Sequence, residues 1–145
     1  MIPKAIRVFP LSKKSEPRAF GTILKVYDFF HRNLPKKRGR FYIPTERTVF
    51  EKHSLILFQY AKKKDEQKII GHSILLSNGC VPDNHNPGYI GYYKLDIDSI
   101  VIYKVPVTKH EIYKIWKKKL FQAKLKLDVS KYNEYISLLK NKGNL

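Results

Sequence analysis

A chain of 145 residues with 43% hydrophobic and 13% aromatic content can close one core, and it is read as a single domain over residues 1–145. Its one cysteine, Cys80, excludes an intrachain disulfide framework, and the Cys/His spacing of a zinc site is missing, so neither metal nor other cofactor is expected. Lys+Arg 29 against Asp+Glu 12 gives +17, with +9 in residues 1–60 and +8 in residues 61–145: a basic body, not a basic tail.

Such a charge points to a polyanionic partner, with nucleic acid ahead of a membrane surface or an acidic protein. The excess of Lys over Arg, beside much Ile, Tyr and Asn, also fits an AT-rich coding sequence, in which case the charge specifies no partner. The longest apolar runs, Ser54 to Ala61 and Ile69 to Leu76, fall far short of the ~20 residues of a membrane-crossing helix. Met1 to Pro10 lacks the apolar stretch of a signal peptide, so a cytoplasmic protein is expected.

In chain order, Ala5 to Phe9 reads as a strand ended by Pro10. From Arg18, Phe20, Ile23, Leu24, Tyr27 and Phe30 recur at helical spacing up to Pro35, which stops the helix. Lys36 to Arg40 follows as a compact basic loop and Phe41 to Ile43 as an extended piece. Ser54 to Ala61 and Lys68 to Leu76 form an antiparallel hairpin, apolar enough to be covered on both faces. Ser77 to Gly91, with three Gly, two Pro and three Asn, is a long loop of the kind that often carries function. A long strand runs from Tyr92 to about Val105, with a slip near Ser99 that suggests a bulge. Thr108-Lys-His-Glu111 matches a capping box for a helix with Ile112, Ile115 and Trp116 inward, Phe121 to Leu127 alternates like a strand, and Ser130 opens a last helix before Gly143. The class is α+β on a mostly antiparallel sheet, open or closed.

Catalytic signatures are weak. Cys80 and His85 form a conceivable nucleophile pair, with an incidental loop cysteine as the simpler reading. Asp96 and Asp98 would share a strand face and could hold a divalent metal, although plain alternation predicts the same pattern. Glu66-Gln-Lys68 has half the shape of a nuclease motif and lacks the second acid upstream.

Binding chemistry is richer. Lys36, Lys37, Arg38 and Arg40 run into Phe41 and Tyr42, and Gly39 among them lets the backbone approach a ligand; phosphate neutralisation beside a stacking platform suits single-stranded or flipped nucleotides. The alternative is a solvated loop anchored by Phe41 and Tyr42. Gln59 stands between Phe58 and Tyr60 in an apolar strand, where an amide must find a partner or read a base edge. His72 beside Gly71 poses the same question. Lys117 to Lys119 complement a helix end and widen the basic surface.

The segments His53 to Ala61, Lys68 to Leu76 and Gly91 to Ile112 resemble the PUA-like superfamily, especially its EVE and YTH-like branches, over roughly Phe41 to Leu139. The resemblance implies a PUA-like curved, mostly antiparallel β-barrel flanked by helices that binds RNA or DNA at a modified base, in some members beside an effector such as a nuclease or restriction subunit. It maps Arg38 to Tyr42 onto the basic-aromatic segment, and Phe58, Gln59 and Tyr60, with Gly71 and His72 across from them, onto the pocket wall. The tryptophans usual in such cages are missing, since Trp116 falls in a helix stripe, and the acidic-basic motif of the related ASCH branch is not found. The expected function is therefore a nucleic-acid-binding module; a small hydrolase, metal-dependent or ASCH-like, and a protein-interaction subunit are the alternatives.

Overall fold

Strands β3 (Leu55–Tyr60) and β4 (Lys68–Ile74) are buried at almost every position because both faces of the sheet they form are covered. The computed structural model describes residues 2–11, 22–46, 48–61, 66–120 and 125–145. The antiparallel β3–β4 pair lies at the middle of a five-stranded sheet completed by β1 (Ile6–Pro10), β7 (Val101–Thr108) and β8 (Lys126–Leu127), in the order β7-β4-β3-β1-β8. β1 joins β3 in parallel, with Ile6 opposite Leu55 and Phe9 opposite Phe58. A second sheet of three short strands holds β2 (Arg40–Ile43), β6 (Gly91–Lys94) and β5 (Val81–Pro82), in the order β2-β6-β5.

Three layers result. On one side of the large sheet, Ile6, Leu57, Ile69 and Tyr103 pack against Ile112 and Trp116 of α3 (Lys109–Trp116) and Tyr135 and Leu139 of α4 (Tyr132–Asn141). On the other, Ile56, Phe58, Tyr60 and Ile70 pack against Phe41, Ile43, Tyr93 and Leu95 at the inner side of the small sheet, and against the N-terminal helical segment. Neither sheet closes on itself, so the barrel expected from the PUA-like resemblance is corrected to an open two-sheet α+β fold.

The reason lies at the slip near Ser99. The long strand is not bulged; it is cut. Asp96 accepts the Asp98 backbone N–H at 3.1 Å and starts a 3-10 turn over Ile97–Ser99, after which the chain enters the other sheet as β7. The Ser99 hydroxyl accepts the Ile74 N–H at 2.7 Å, and Leu75 bridges Leu95, so the end of β4 links the two sheets at this switch. Asp96 and Asp98 thus sit in a capped turn and not two apart on one strand face, which removes the geometry of the expected metal pair.

The first described helix, α1 (Ile23–Asp28), is capped by the Thr22 hydroxyl on Lys25 N–H, and Leu24 is 74% exposed, outside the apolar stripe expected of it. The part of that helix expected before Gly21 lies outside the described residues, as do 121–124 of the expected strand Phe121 to Leu127. A π turn over Phe29–Asn33 follows, and its extra residue per turn carries Phe29, Phe30 and Leu34 all into the core. It leads into α2 (Leu34–Lys36), whose first turn accommodates Pro35 because a proline needs no N–H partner there; the helix therefore passes Pro35 instead of stopping at it.

The capping box holds as expected, with Glu111 N–H on the Thr108 hydroxyl at 3.2 Å and Thr108 N–H on the Glu111 carboxylate at 3.0 Å. Lys142 adds an ion pair to Glu111 at 2.7 Å, tying the end of α4 to the start of α3. The cap of the last helical segment is Asp128, one turn before α4, and not Ser130. Among the described residues no helix is long and apolar enough to cross a membrane.

Candidate nucleic-acid interface

Alternation along β2 and β6 builds a two-faced small sheet. Phe41 and Ile43 point inward with Tyr93, while Arg40 and Tyr42 of β2 and Tyr92 and Lys94 of β6 point outward. The register sets Arg40 opposite Lys94, Tyr42 opposite Tyr92, and Val81 opposite Tyr92 from the other side. Cross-strand partners share a face, so two cations and two tyrosines form adjacent rows.

The side chains converge. The Arg40 guanidinium lies 5.2 Å from the Tyr92 ring centre, Tyr42 and Tyr92 are 5.4 Å apart, and Tyr89 stands 5.8 Å from Tyr42 on the far side. The Lys37 ammonium sits between Phe29 and Tyr42, 5.8 and 6.0 Å from their rings. Lys94 donates to the Arg38 carbonyl, while Lys36 and Arg38 are exposed at the rim. The Tyr42 hydroxyl donates to Asp83 at 3.0 Å and also meets Arg40; burial and the Asp83 contact push its pKa up. Asp83 in turn accepts the His85 backbone and ring N–H groups, each at 2.9 Å, and these hydrogen bonds hold its carboxyl below the usual range. Beside Tyr92 these groups border an open cleft of about 520 Å³.

Of the expected binding residues, Lys36, Lys37, Arg38, Arg40 and Tyr42 therefore belong to one surface. The others do not join it. Phe41 and Phe58 are 2% and 1% exposed and form part of the core between the sheets, so neither can stack on a ligand. Tyr60 is buried in that same core.

Gln59 belongs to the large sheet rather than the small one, 8% exposed, with its Oε1 lacking a hydrogen-bond partner among the described residues. His72 faces the helix layer, where its Nδ1 lies 2.6 Å from the Tyr103 hydroxyl, which meets the Tyr135 hydroxyl at 2.9 Å; burial lowers the His72 pKa to about 4. Period-two alternation explains the split: Phe58 and Tyr60 point to one side of β3, and Gln59 cannot share a pocket with them. The space bounded by Phe41, Phe50, Phe58 and Tyr93 is an apolar void of about 10 Å³, no larger than one water and too small for a base.

Gly39 serves a different approach from the one expected. Its φ of +77° and the Leu95 carbonyl, 2.4 Å from where a Cβ would stand, make it the tight turn that sets β2 beside β6. The Cys80–His85 pair fails as a nucleophile: burial and the Glu46 charge push the thiol up, and His85 is engaged by Asp83. Tyr89, Tyr92, Lys94 and Asp83 were not singled out by the sequence reading; the matching Arg-Phe-Tyr and Tyr-Tyr-Lys words on two short strands were the available signal. No family model matches the chain, and no curated protein or solved structure is significantly similar to it.

Proposed function

We propose that the protein binds single-stranded nucleic acid on the outer face of the small sheet, gripping phosphates with Arg40, Lys94 and the rim cations and stacking bases on Tyr92 and Tyr42. The observation that carries this reading is the register of β2 and β6. Like charges directly opposite one another destabilise a strand pair, and Arg40 faces Lys94 two residues from the Tyr42–Tyr92 pair. A phosphate offers a counterion to both cations, and the neighbouring rings offer π faces that every base can use. The net charge of +17 supplies long-range attraction to the same partner. The platform is an exposed sheet face and not an enclosed aromatic cage.

Fluorescence anisotropy with labelled single-stranded RNA, single-stranded DNA and duplex DNA across a salt series tests it. Single strands should bind more tightly than duplex. Arg40→Ala should lower the salt slope by about one unit, and Tyr92→Ala should cost about 1–3 kcal/mol with the slope unchanged. Lys118→Gln, on the helix side of the molecule, is the control. Equal losses for Arg40→Ala and Lys118→Gln, with Tyr92→Ala silent, would leave a basic surface without a site.

A further inference from the structure

Among the described residues that line the cleft beside Tyr92, one is acidic. Asp83 stands in the cleft beside Tyr92, next to Arg40, Pro82 and Ile90, with its carboxylate fixed by the Tyr42 hydroxyl and by the His85 backbone N–H. A carboxylate repels phosphate, so any part of a nucleic-acid ligand that meets Asp83 is a hydrogen-bond donor and not a phosphate. Its hydrogen bonding shows which part.

An ionised carboxylate offers about four acceptor positions and no donor. On Oδ2 one position is taken by Tyr42. On Oδ1 one is taken by the His85 backbone and one by its ring Nδ1, whose side chain is 92% exposed. A ligand N–H can replace that exposed ring N–H one for one, and Oδ2, which accepts one hydrogen bond from Tyr42, keeps acceptor capacity for a second. Asp83 is thus prepared to accept two donors side by side, one on each oxygen.

Guanine presents that edge, with N1–H beside the N2 amino group. Adenine and cytosine set one amino donor beside a ring-nitrogen acceptor, and uracil and thymine set one N–H between two carbonyls. Each of these would turn a lone pair toward the carboxylate, and an unpaired polar contact of that kind is costly. We propose that the Tyr92–Asp83 cleft is a guanine-selective subsite, in which the base stacks on Tyr92, its N1–H and N2–H donate to Asp83, and its phosphate meets Arg40. The inference rests on the nucleic-acid reading above and adds base choice to it.

Labelled oligo-uridine and oligo-thymidine carrying one central G, A, C or inosine test it by anisotropy at physiological salt. The G oligomer should bind about tenfold more tightly than the A, C or all-pyrimidine oligomers, within the range of a bidentate pair. Inosine, which lacks the N2 amino group, should lose most of that advantage on the native protein, with no variant required. Asp83→Asn should bring G and A within about twofold while all-pyrimidine binding stays equal or tightens, and His85→Ala should keep the preference. If native protein binds all four oligomers alike, or inosine matches G, base selection by Asp83 is overturned while nucleic-acid binding stands. Retention of the preference in Asp83→Asn also overturns it. Absence of binding to every oligomer overturns both readings together.

Discussion

Gly39 and Arg38 turn the chain from α2 into β2 with φ of +77° and +57°, and Gly39 lies where a Cβ would meet the Leu95 carbonyl at 2.4 Å. Two costs coincide there, a left-handed backbone and a backbone clash that no rotamer relieves. Gly39→Ala should therefore destabilise the fold by about 1–3 kcal/mol in urea denaturation, although Gly39 carries no ligand contact. Arg38 meets only the first cost and is exposed, so Arg38→Gly should be neutral or slightly stabilising in the same assay. That difference separates the turn's structural role from its charge.

At the scale of elements, β7 is an edge strand with three backbone groups met by side chains. The Tyr27 hydroxyl donates to the Tyr103 carbonyl at 3.1 Å, and the Asn144 side chain pairs with both polar groups of Val105, accepting its N–H at 2.9 Å and donating to its carbonyl at 2.7 Å. One amide side chain thus stands in for a neighbouring strand, placed by the turn at Gly143 that closes α4. Asn144→Ala should raise hydrogen exchange at the Val105 amide by an order of magnitude or more while leaving the Ile69 amide, inside the sheet, protected. A lack of change at Val105 would mean the clasp is not formed in solution.

The elements that were legible in the sequence are those set by near neighbours. The Thr108–Glu111 capping box and the hairpin of β3 and β4 follow from residues a few positions apart. The sheet switch at Asp96 was hidden because alternation reports which face a residue occupies and never which sheet its strand joins. Gln59 is a different case: alternation already sets it on the opposite side of β3 from Phe58 and Tyr60, and only the pocket wall implied by the PUA-like resemblance grouped the three. The proposed binding face was half legible: Arg40 and Tyr42 were visible as a basic-aromatic word, but Tyr92 and Asp83 reach them only through the pairing of β2, β6 and β5.

At the scale of the whole molecule, stability should fall with acid in two windows. The His72 ring, buried among Tyr103 and neighbouring core groups, has a pKa lowered to about 4 from 6.5. The unfolded chain binds this proton first as pH falls, so the contribution is complete above about 6.5, declines toward 4 and is flat below, an amount of about 3 kcal/mol. Glu51, held at about 2 from 4.5 by the Arg7 guanidinium 2.6 Å away, contributes above 4.5 and loses its share between 4.5 and 2. That pair is partly exposed, and solvent screening keeps its share smaller. Urea denaturation at pH 7, 5.5 and 4.5 should show the first decline, and His72→Gln should flatten it. An unchanged slope in that variant would assign the decline to other groups.

The layering also separates the outer face of the small sheet from the core by a single pleat. On β2 the residues that meet solvent and those that fill the core alternate one by one, Arg40 and Tyr42 against Phe41 and Ile43. One residue added to or removed from the Lys37–Gly39 turn would exchange the two sets, burying a guanidinium and exposing a phenylalanine. The turn should therefore tolerate substitution at its exposed positions better than a change of length, even though it lies at the surface, where loops usually accept insertions.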